Sequence, residues 1–84
     1  MFHVYILKCA DASLYVGSTN DLAKRLHHHN HSKCGAHYTK IRRPVEMVYS
    51  ESFLTFREAR RREAEIKSWK RERKLVLVAT KNQS

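Results

Sequence analysis

The sequence has little of several residue types, and each shortage narrows what the protein can be. Its 84 residues include two glycines, one proline and two cysteines. So few glycines and prolines exclude a fibrous repeat, and 42% hydrophobic with 30% charged residues is the composition of a folded globular domain. Cys9 and Cys34 form neither a C-x-x-C pair nor a zinc-type spacing, so we expect both to be reduced thiols.

Long hydrophobic runs are also missing. The longest, Val4–Leu7 and Leu75–Ala79, fall far short of the ~20 residues that cross a bilayer. The start of the chain, Met1–Val4, lacks the basic residue and the apolar run of a signal peptide. We therefore expect a cytoplasmic protein that does not bind membranes. A chain of this length forms one small domain, which we place at residues 1–80 with a tail at 81–84, and a monomer is the default.

Acidic residues are scarce relative to basic ones. The chain has 17 Lys and Arg against 8 Asp and Glu, which gives a net charge of +9 and a pI of about 10.0. A field of this sign concentrates polyanions, so nucleic acid, DNA above all, is the expected partner. The charge alone also fits a small basic protein whose surface is merely solvated. We expect no small-molecule cofactor.

Three segments have the composition of β-strands. Phe2–Leu7 and Leu14–Val16 are rich in β-branched and aromatic residues, and they flank the short, turn-forming segment Cys9–Ser13. This pattern predicts a β-hairpin. Val45–Tyr49 has a similar composition and is predicted to form a third strand.

Helices account for the rest of the predicted order. Asn20 is the predicted N-cap of a short helix that runs to about Asn30. A longer helix is predicted from its cap Thr55 to about Arg71. Residues 72–80 fit either a helix or a strand. The order is thus ββαβαα or ββαβαβ, which predicts a small α/β sheet domain.

One acidic side chain lies where a hydrophobic one is expected. In the long helix, Phe56, Ala59 and Ile66 fall in one apolar stripe at helical spacing, and Glu63 lies inside that stripe. A carboxylate that faces a core is costly unless a cation neutralises it. The cation is either a metal ion or a basic side chain in a half-buried salt bridge, and the spacing does not choose between them.

Two further sets of residues are placed for chemistry. Arg25 and His29 are four positions apart on the short helix, and a guanidinium there can bind two oxygens of a phosphate. Tyr5 and Tyr15 lie in the paired strands, and Gly17 stands where glycine often marks the close approach of another group to the backbone. Taken singly, each set is also what an ordinary surface arginine or a pair of core tyrosines provides.

The order of these residues along the chain carries a family resemblance. The segments that carry it are Val4-Tyr5-Ile6, Tyr15-Val16-Gly17, the run from Gly17 to Leu22, Arg25, His29-Asn30, Gly35-Ala36-His37-Tyr38-Thr39, Arg43-Pro44-Val45, Ala59, Arg62-Glu63 and Ile66-Lys67. In this set the sequence resembles the GIY-YIG nucleases, in particular their small, free-standing, single-domain members, over roughly residues 2–78. The first triplet departs from the signature because it begins with Val4 instead of glycine.

The resemblance implies a three-stranded antiparallel sheet flanked by helices in the order ββαβαα. It also implies a metal-dependent endonuclease that hydrolyses phosphodiester bonds of DNA, with branched, nicked and single-stranded forms among the candidate substrates. On this basis Glu63 would hold one divalent ion, Mg²⁺ or else Mn²⁺, and Arg25 would bind the scissile phosphate. Tyr5 and Tyr15 would line the catalytic site, with His29 assisting them.

The resemblance and the charge together select the nucleic-acid contacts. We expect them to be Gly17, Tyr38, Arg42, Arg43, Lys67 and Lys70. The segment from Arg57 to Lys74 holds nine basic and four acidic residues. Such a surface follows phosphates without reading bases, so binding should weaken steeply with salt.

Two alternatives stay open at the level of sequence. A tyrosine with an unperturbed pKa of about 10 is a weak base at neutral pH, and a histidine near about 6.5 is a better one, so the general base is either a tyrosine or His29. No second DNA-recognition domain is visible. A non-catalytic nucleic-acid-binding module, or a basic adaptor with the same fold, is therefore the alternative to an enzyme.

Overall fold

Three strands and three helices make up the described part of the chain, which in this computed structural model comprises residues 1–31 and 43–82. The elements are β1 (Phe2–Lys8), β2 (Leu14–Thr19), α1 (Leu22–His31), β3 (Glu46–Phe53), α2 (Phe56–Lys67) and α3 (Arg71–Asn82). The strands form one antiparallel sheet in the order β2-β1-β3, so β1 is central. The predicted α/β class, the three-stranded sheet and the order ββαβαα are confirmed.

Successive side chains of β1 point to opposite faces of the sheet, and both faces are covered. The apolar face is the cluster of buried residues Val4, Ile6, Val16, Ala59 and Ile66, against which side chains of α3 also pack. The tyrosine face is the cluster of buried residues Tyr5, Leu7, Cys9 and Val45, against which Leu22 and Leu26 of α1 pack. Because β1 is buried on both faces, any group that it carries is held from two sides.

The α1 helix begins one residue later than the sequence suggested. The Asp21 carboxylate accepts the backbone N–H of Lys24 at 3.0 Å, and the Thr19 hydroxyl accepts the backbone N–H of Asp21 at 3.1 Å. The N-cap is therefore Asp21, and the prediction of Asn20 was wrong by one position. Asn and Asp cap helices about equally well, so composition could not separate these neighbours.

The long helix predicted to reach Arg71 ends at Lys67. Its start at the Thr55 cap is confirmed, since the Thr55 hydroxyl accepts the backbone N–H of Glu58 at 3.2 Å. Residues 68–70 connect α2 to α3, and no glycine or proline marks this break in the sequence. The apolar pattern continues through the break, which is why periodicity alone missed it.

Two other expectations need correction at the edges of the fold. Phe56, which the helical stripe placed in the core, is 54% exposed and packs edge-on against Phe2 at a centroid distance of 5.6 Å. The α3 helix continues to Asn82, two residues into the expected tail. Within residues 1–31 and 43–82, no helix has the length and apolar character that a membrane crossing requires.

Arg62 ties α2 to β3 and to the connection between α2 and α3. Its guanidinium donates to both carboxylate oxygens of Glu51, with Nη2 3.0 Å from Oε2. It also lies 5.1 Å from the centre of the Trp69 ring, which Arg73 approaches at 4.2 Å. Trp69 is partly buried at the edge of the apolar face. Two arginines therefore contact the tryptophan in this structure.

Candidate active site

A hydrogen bond between Tyr5 and His29 joins β1 to α1 on the tyrosine face. The Tyr5 hydroxyl oxygen lies 2.9 Å from His29 Nε2, and each residue is 2% exposed. The centroids of the Tyr5 and His29 rings are 5.9 Å apart. The centroid of the Tyr15 ring lies 5.0 Å from that of His29 and 6.5 Å from that of Tyr5. The fold thus gathers three of the predicted site residues into one cluster of rings.

Gly17 provides the space that the Tyr5 ring occupies. The two residues are directly paired across β1 and β2. A Cβ atom on Gly17 would lie 2.5 Å from the Tyr5 hydroxyl oxygen and 2.6 Å from Tyr5 Cζ, closer than non-bonded atoms approach. The expectation that a group comes close to the backbone here is confirmed, and that group is the Tyr5 side chain.

Contacts at the end of α1 fix the position of His29. The Asn30 side chain accepts the backbone N–H of Val45 at 2.8 Å and donates to the Val45 carbonyl at 3.0 Å. Arg43 Nε donates to the His29 carbonyl at 2.5 Å. The last carbonyls of a helix lack partners within the helix, so Arg43 acts as a cap. Arg43, which the sequence suggested as a nucleic-acid contact, therefore also has a structural function.

Arg25 is exposed on α1, one turn before His29. It lines a polar cleft of 280 Å³ whose other lining residues are Thr19, Asn20, Asp21, Lys24 and His28. Lys24 and Arg25 outnumber the one carboxylate of the cleft, Asp21, so its net positive charge suits a phosphate.

Glu63 lies on the side of the sheet opposite α1, where Ser18 and Lys67 contact its carboxylate. It is 7% exposed, and its Oε1 accepts the Ser18 hydroxyl at 2.7 Å. Its Oε2 lies 2.6 Å from Lys67 Nζ, and Arg60 Nη1 lies 3.9 Å from Oε1. Lys67 is thus a basic side chain that neutralises this carboxylate, one of the two kinds of cation that the sequence allowed.

The predicted catalytic residues surround the edge strand β2. Gly17 and Ser18 are consecutive in that strand, so Ser18 points away from Tyr5 and towards α2. Burial raises the pKa of Tyr5 and the nearby Tyr15 raises it further, while Arg25 lowers it and Glu63 raises it. Arg25 and Glu63 come from helices on opposite faces of the sheet.

The Tyr5–His29 pair is uncharged at physiological pH. The raised pKa of Tyr5 keeps its hydroxyl protonated. Burial lowers the pKa of His29, and the charges of Arg25 and Arg43 lower it further, so its imidazole is uncharged at pH 7. A phenol and a neutral imidazole in contact can pass a proton between them.

The Glu63 carboxyl has the chemistry of a ligand for a hard cation. Burial raises its pKa, but hydrogen bonds from Lys67 and Ser18 outweigh this effect, so the net pKa lies below its ordinary value. Mg²⁺ often takes one or two protein carboxylates and completes its shell with water and phosphate oxygens. No three His, Cys, Asp or Glu side chains converge within the described ranges 1–31 and 43–82, so a metal at Glu63 would depend on such outside ligands.

The remaining predicted residues fall into two groups. Tyr38 and Arg42 lie outside the described residues, while Lys70 is exposed in the connection between α2 and α3. Sequence reasoning missed Ser18 and Asn30, which position Glu63 and α1. Each directly follows a residue that had been singled out, Gly17 or His29, and that proximity was the available signal.

Comparison with known proteins identifies the family. Residues 1–75 match the GIY-YIG catalytic domain family. The chain therefore belongs to the GIY-YIG nuclease family. It is similar within that family to the UPF0213 proteins, a small single-domain group.

Three of these relatives show the extent of the similarity. The chain is 57% identical to a UPF0213 protein of Bacillus pumilus over 76 residues, 90% of this chain and 76% of that protein. It is 52% identical to a UPF0213 protein of Staphylococcus saprophyticus over 77 residues, 92% of this chain and 93% of that protein. The solution NMR structure of a UPF0213 protein from Bacillus halodurans superposes with a TM-score of 0.62 and 41% identity, covering 96% of this chain and 86% of that chain.

Proposed function

We propose that this chain is a divalent-metal-dependent endonuclease that hydrolyses phosphodiester bonds of DNA. The observation that carries the proposal is the buried hydrogen bond between the Tyr5 hydroxyl and His29 Nε2, one helical turn from the exposed Arg25. The pair offers a route for a proton beside an exposed guanidinium that can bind a phosphate. Membership in a nuclease family supports the same conclusion.

Tyr5 and His29 form a proton relay in this proposal. In the tautomer with its proton on Nδ1, His29 accepts a hydrogen bond from the Tyr5 hydroxyl at Nε2. A water molecule that donates to the Tyr5 oxygen can transfer a proton to it while Tyr5 passes its own proton to His29. The two candidate general bases, a tyrosine and His29, then act together, because Tyr5 contacts the water and His29 receives the proton.

Arg25 binds the phosphate in this proposal. Its exposed guanidinium lies beside the polar cleft and can donate two hydrogen bonds to phosphate oxygens. The phosphate gains negative charge in the transition state, and losing one fixed donor of this kind typically lowers the rate by about 10²–10³.

Glu63 would hold the divalent ion, Mg²⁺ or Mn²⁺, with Ser18 keeping the carboxylate in place. Such an ion, when bound, neutralises phosphate charge and lowers the pKa of coordinated water. Lys67 and Lys70, with Gly17, Tyr38, Arg42 and Arg43, stay predicted nucleic-acid contacts. A cytoplasmic location and a monomeric state also stay predictions.

A second candidate is a module that binds nucleic acid without cutting it. The observation that favours it is the ion pair between Lys67 and Glu63, because it satisfies the carboxylate without any metal. The exposed basic residues of α2, among them Arg57 and Arg61, would supply the affinity for phosphates in either case.

One assay separates the two functions. Labelled duplex, single-stranded, nicked and branched DNA are incubated with the protein and Mg²⁺, Mn²⁺ or EDTA. Glu63→Gln and Arg25→Ala should each lower cleavage by about 10² or more. Glu58→Gln removes an exposed acid from the same helix and should keep the activity. Tight binding with no metal-dependent cleavage of any substrate would favour the binding module.

A further inference from the structure

We propose that Lys67 is a built-in substitute for the metal ion at Glu63, which the ion displaces and which then binds a phosphate of the substrate. This inference rests on the proposed function, because it concerns the same carboxylate. Both oxygens of Glu63 already have partners, since Oε1 accepts the Ser18 hydroxyl at 2.7 Å and Oε2 lies 2.6 Å from Lys67 Nζ.

The two partners of Glu63 differ in how easily they can move. Ser18 belongs to β2 and is paired with Val4 in the sheet, so its hydroxyl is tied to the strand. Lys67 is the last residue of α2, and its side chain is 52% exposed. Its ammonium sits on a flexible four-carbon stem. Replacing Lys67 at Oε2 by another cation therefore disturbs the fold less than displacing Ser18 from Oε1 would.

The Lys67 ammonium and a divalent metal ion are alternative cations for the Glu63 carboxylate. The Glu63 side chain is only 9% exposed, and a carboxylate so buried is strongly disfavoured without a cation. Lys67 supplies that cation when no metal is bound. A divalent ion at the same oxygen repels the ammonium, so binding of the ion releases Lys67. Arg60, at 3.9 Å from Oε1 and 62% exposed, is too distant and too solvated to take over this function.

The released ammonium stays close to the reaction. Lys67 follows Glu63 by one helical turn, so its stem keeps Nζ beside the carboxylate that now holds the ion. The anion that a DNA substrate brings there is a phosphate, and an ammonium binds phosphate by charge-assisted hydrogen bonds. Lys67 thus lowers metal affinity in the free protein and increases phosphate affinity once the metal is bound.

The test measures Mn²⁺ binding without DNA, by the electron paramagnetic resonance signal of free Mn²⁺. Lys67→Met should bind Mn²⁺ roughly three- to tenfold more tightly than the wild type, because a competing cation is gone. Lys67→Arg keeps the charge and should stay near the wild type. Lys70→Met removes the same charge from an exposed lysine nearby and should also stay near it. Circular dichroism of each variant establishes that it is folded.

A second readout distinguishes displacement from a general charge effect. DNA affinity in the presence of Mn²⁺ should fall in Lys67→Met, opposite to its gain in metal affinity. The double variant Glu63→Gln/Lys67→Met should lose the tighter Mn²⁺ binding, because the carboxylate is gone.

Several results would overturn the inference. Equal Mn²⁺ affinity in the wild type and Lys67→Met would do so, and so would equal tightening in Lys70→Met. If neither the wild type nor Lys67→Met binds Mn²⁺, the metal assignment of Glu63 fails and this inference fails with it. Tighter Mn²⁺ binding by Lys67→Met, with no cleavage of any DNA by the wild type, would instead reject only the enzymatic function.

Discussion

The apolar face and the tyrosine face share the strand β1 but differ in what fills them. Aliphatic side chains such as Ile6 and Ile66 fill the apolar face. The tyrosine face buries the Tyr5 hydroxyl against the His29 ring, and Gly17 leaves room for them. A buried hydroxyl and imidazole must be paired, so hydrogen-bond geometry governs packing on that face. The sheet thus lies between the Tyr5–His29 pair on the tyrosine face and the Glu63 carboxylate, which α2 holds on the other side.

The largest effect on stability is expected on the apolar face. Ile66→Ala removes a fully buried side chain between α2 and the sheet, and it should lower the free energy of unfolding by about 2–5 kcal/mol. Urea unfolding followed by circular dichroism measures this change. DNA cleavage by the folded variant should stay within about threefold of the wild type. A loss of cleavage with unchanged stability would show that Ile66 does more than pack α2 against the sheet.

The tyrosine face should show the opposite result. Tyr5→Phe keeps the ring but removes the hydroxyl, so unfolding should become easier by only about 1–2 kcal/mol. Cleavage should fall by about 10² or more, because the relay to His29 is lost.

A matched control for that variant lies on the other face. Burial and the hydrogen bond with Glu51 raise the pKa of Tyr49 to about 12, and its side chain packs against the apolar face. Tyr49→Phe should therefore keep its cleavage activity. If Tyr5→Phe cleaves as fast as Tyr49→Phe, the relay is wrong.

A smaller loss of cleavage than in Tyr5→Phe is expected from filling the space at Gly17. Gly17→Ala places a methyl group 2.5 Å from the Tyr5 hydroxyl oxygen, and such overpacking typically costs about 1–3 kcal/mol of stability. Cleavage should fall as well, because Tyr5 is displaced. In a double-mutant cycle, Gly17→Ala should reduce cleavage less when position 5 is already Phe. Strictly additive effects would show that the two residues act independently.

The smallest expected effect is a loss of stability in acid that depends on His29. Burial, followed by the charges of Arg25 and Arg43, lowers the pKa of His29 in the folded state. The resulting stability is present above the unfolded pKa of about 6.5 and is lost as the pH falls through the folded pKa. The wild type should therefore lose stability in acid relative to His29→Gln. An NMR titration that gives His29 a pKa at or above the ordinary value would contradict this prediction.

Local patterns predicted most of the fold, because each pattern depends on near neighbours in the chain. Side chains alternate along a strand, so Tyr5 lies on the face opposite Val4 and Ile6, as the structure shows. The errors lie at the ends of elements, such as the cap at Asn20 instead of Asp21. Several residues there have similar side chains, and element ends are the least certain part of any assignment.

Glu63 shows where sequence reasoning reached its limit. Helical periodicity placed its carboxylate among apolar residues, and the side chain is indeed buried. Its partner Lys67, four residues later, was within reach of the same spacing argument. Its other partner, Ser18, lies 45 residues away in the sequence, and no local pattern connects the two.

The sequence by itself determined the three strands, the approximate positions of the first two helices and the excess of positive charge, because these depend on spacing and composition. Only the tertiary structure decided that Tyr5 meets His29, 24 residues away, and that Gly17 lies opposite the Tyr5 ring. Such contacts require strand register and the docking of helices on both faces. Register and docking come from the packing of the whole domain and from no single segment of it.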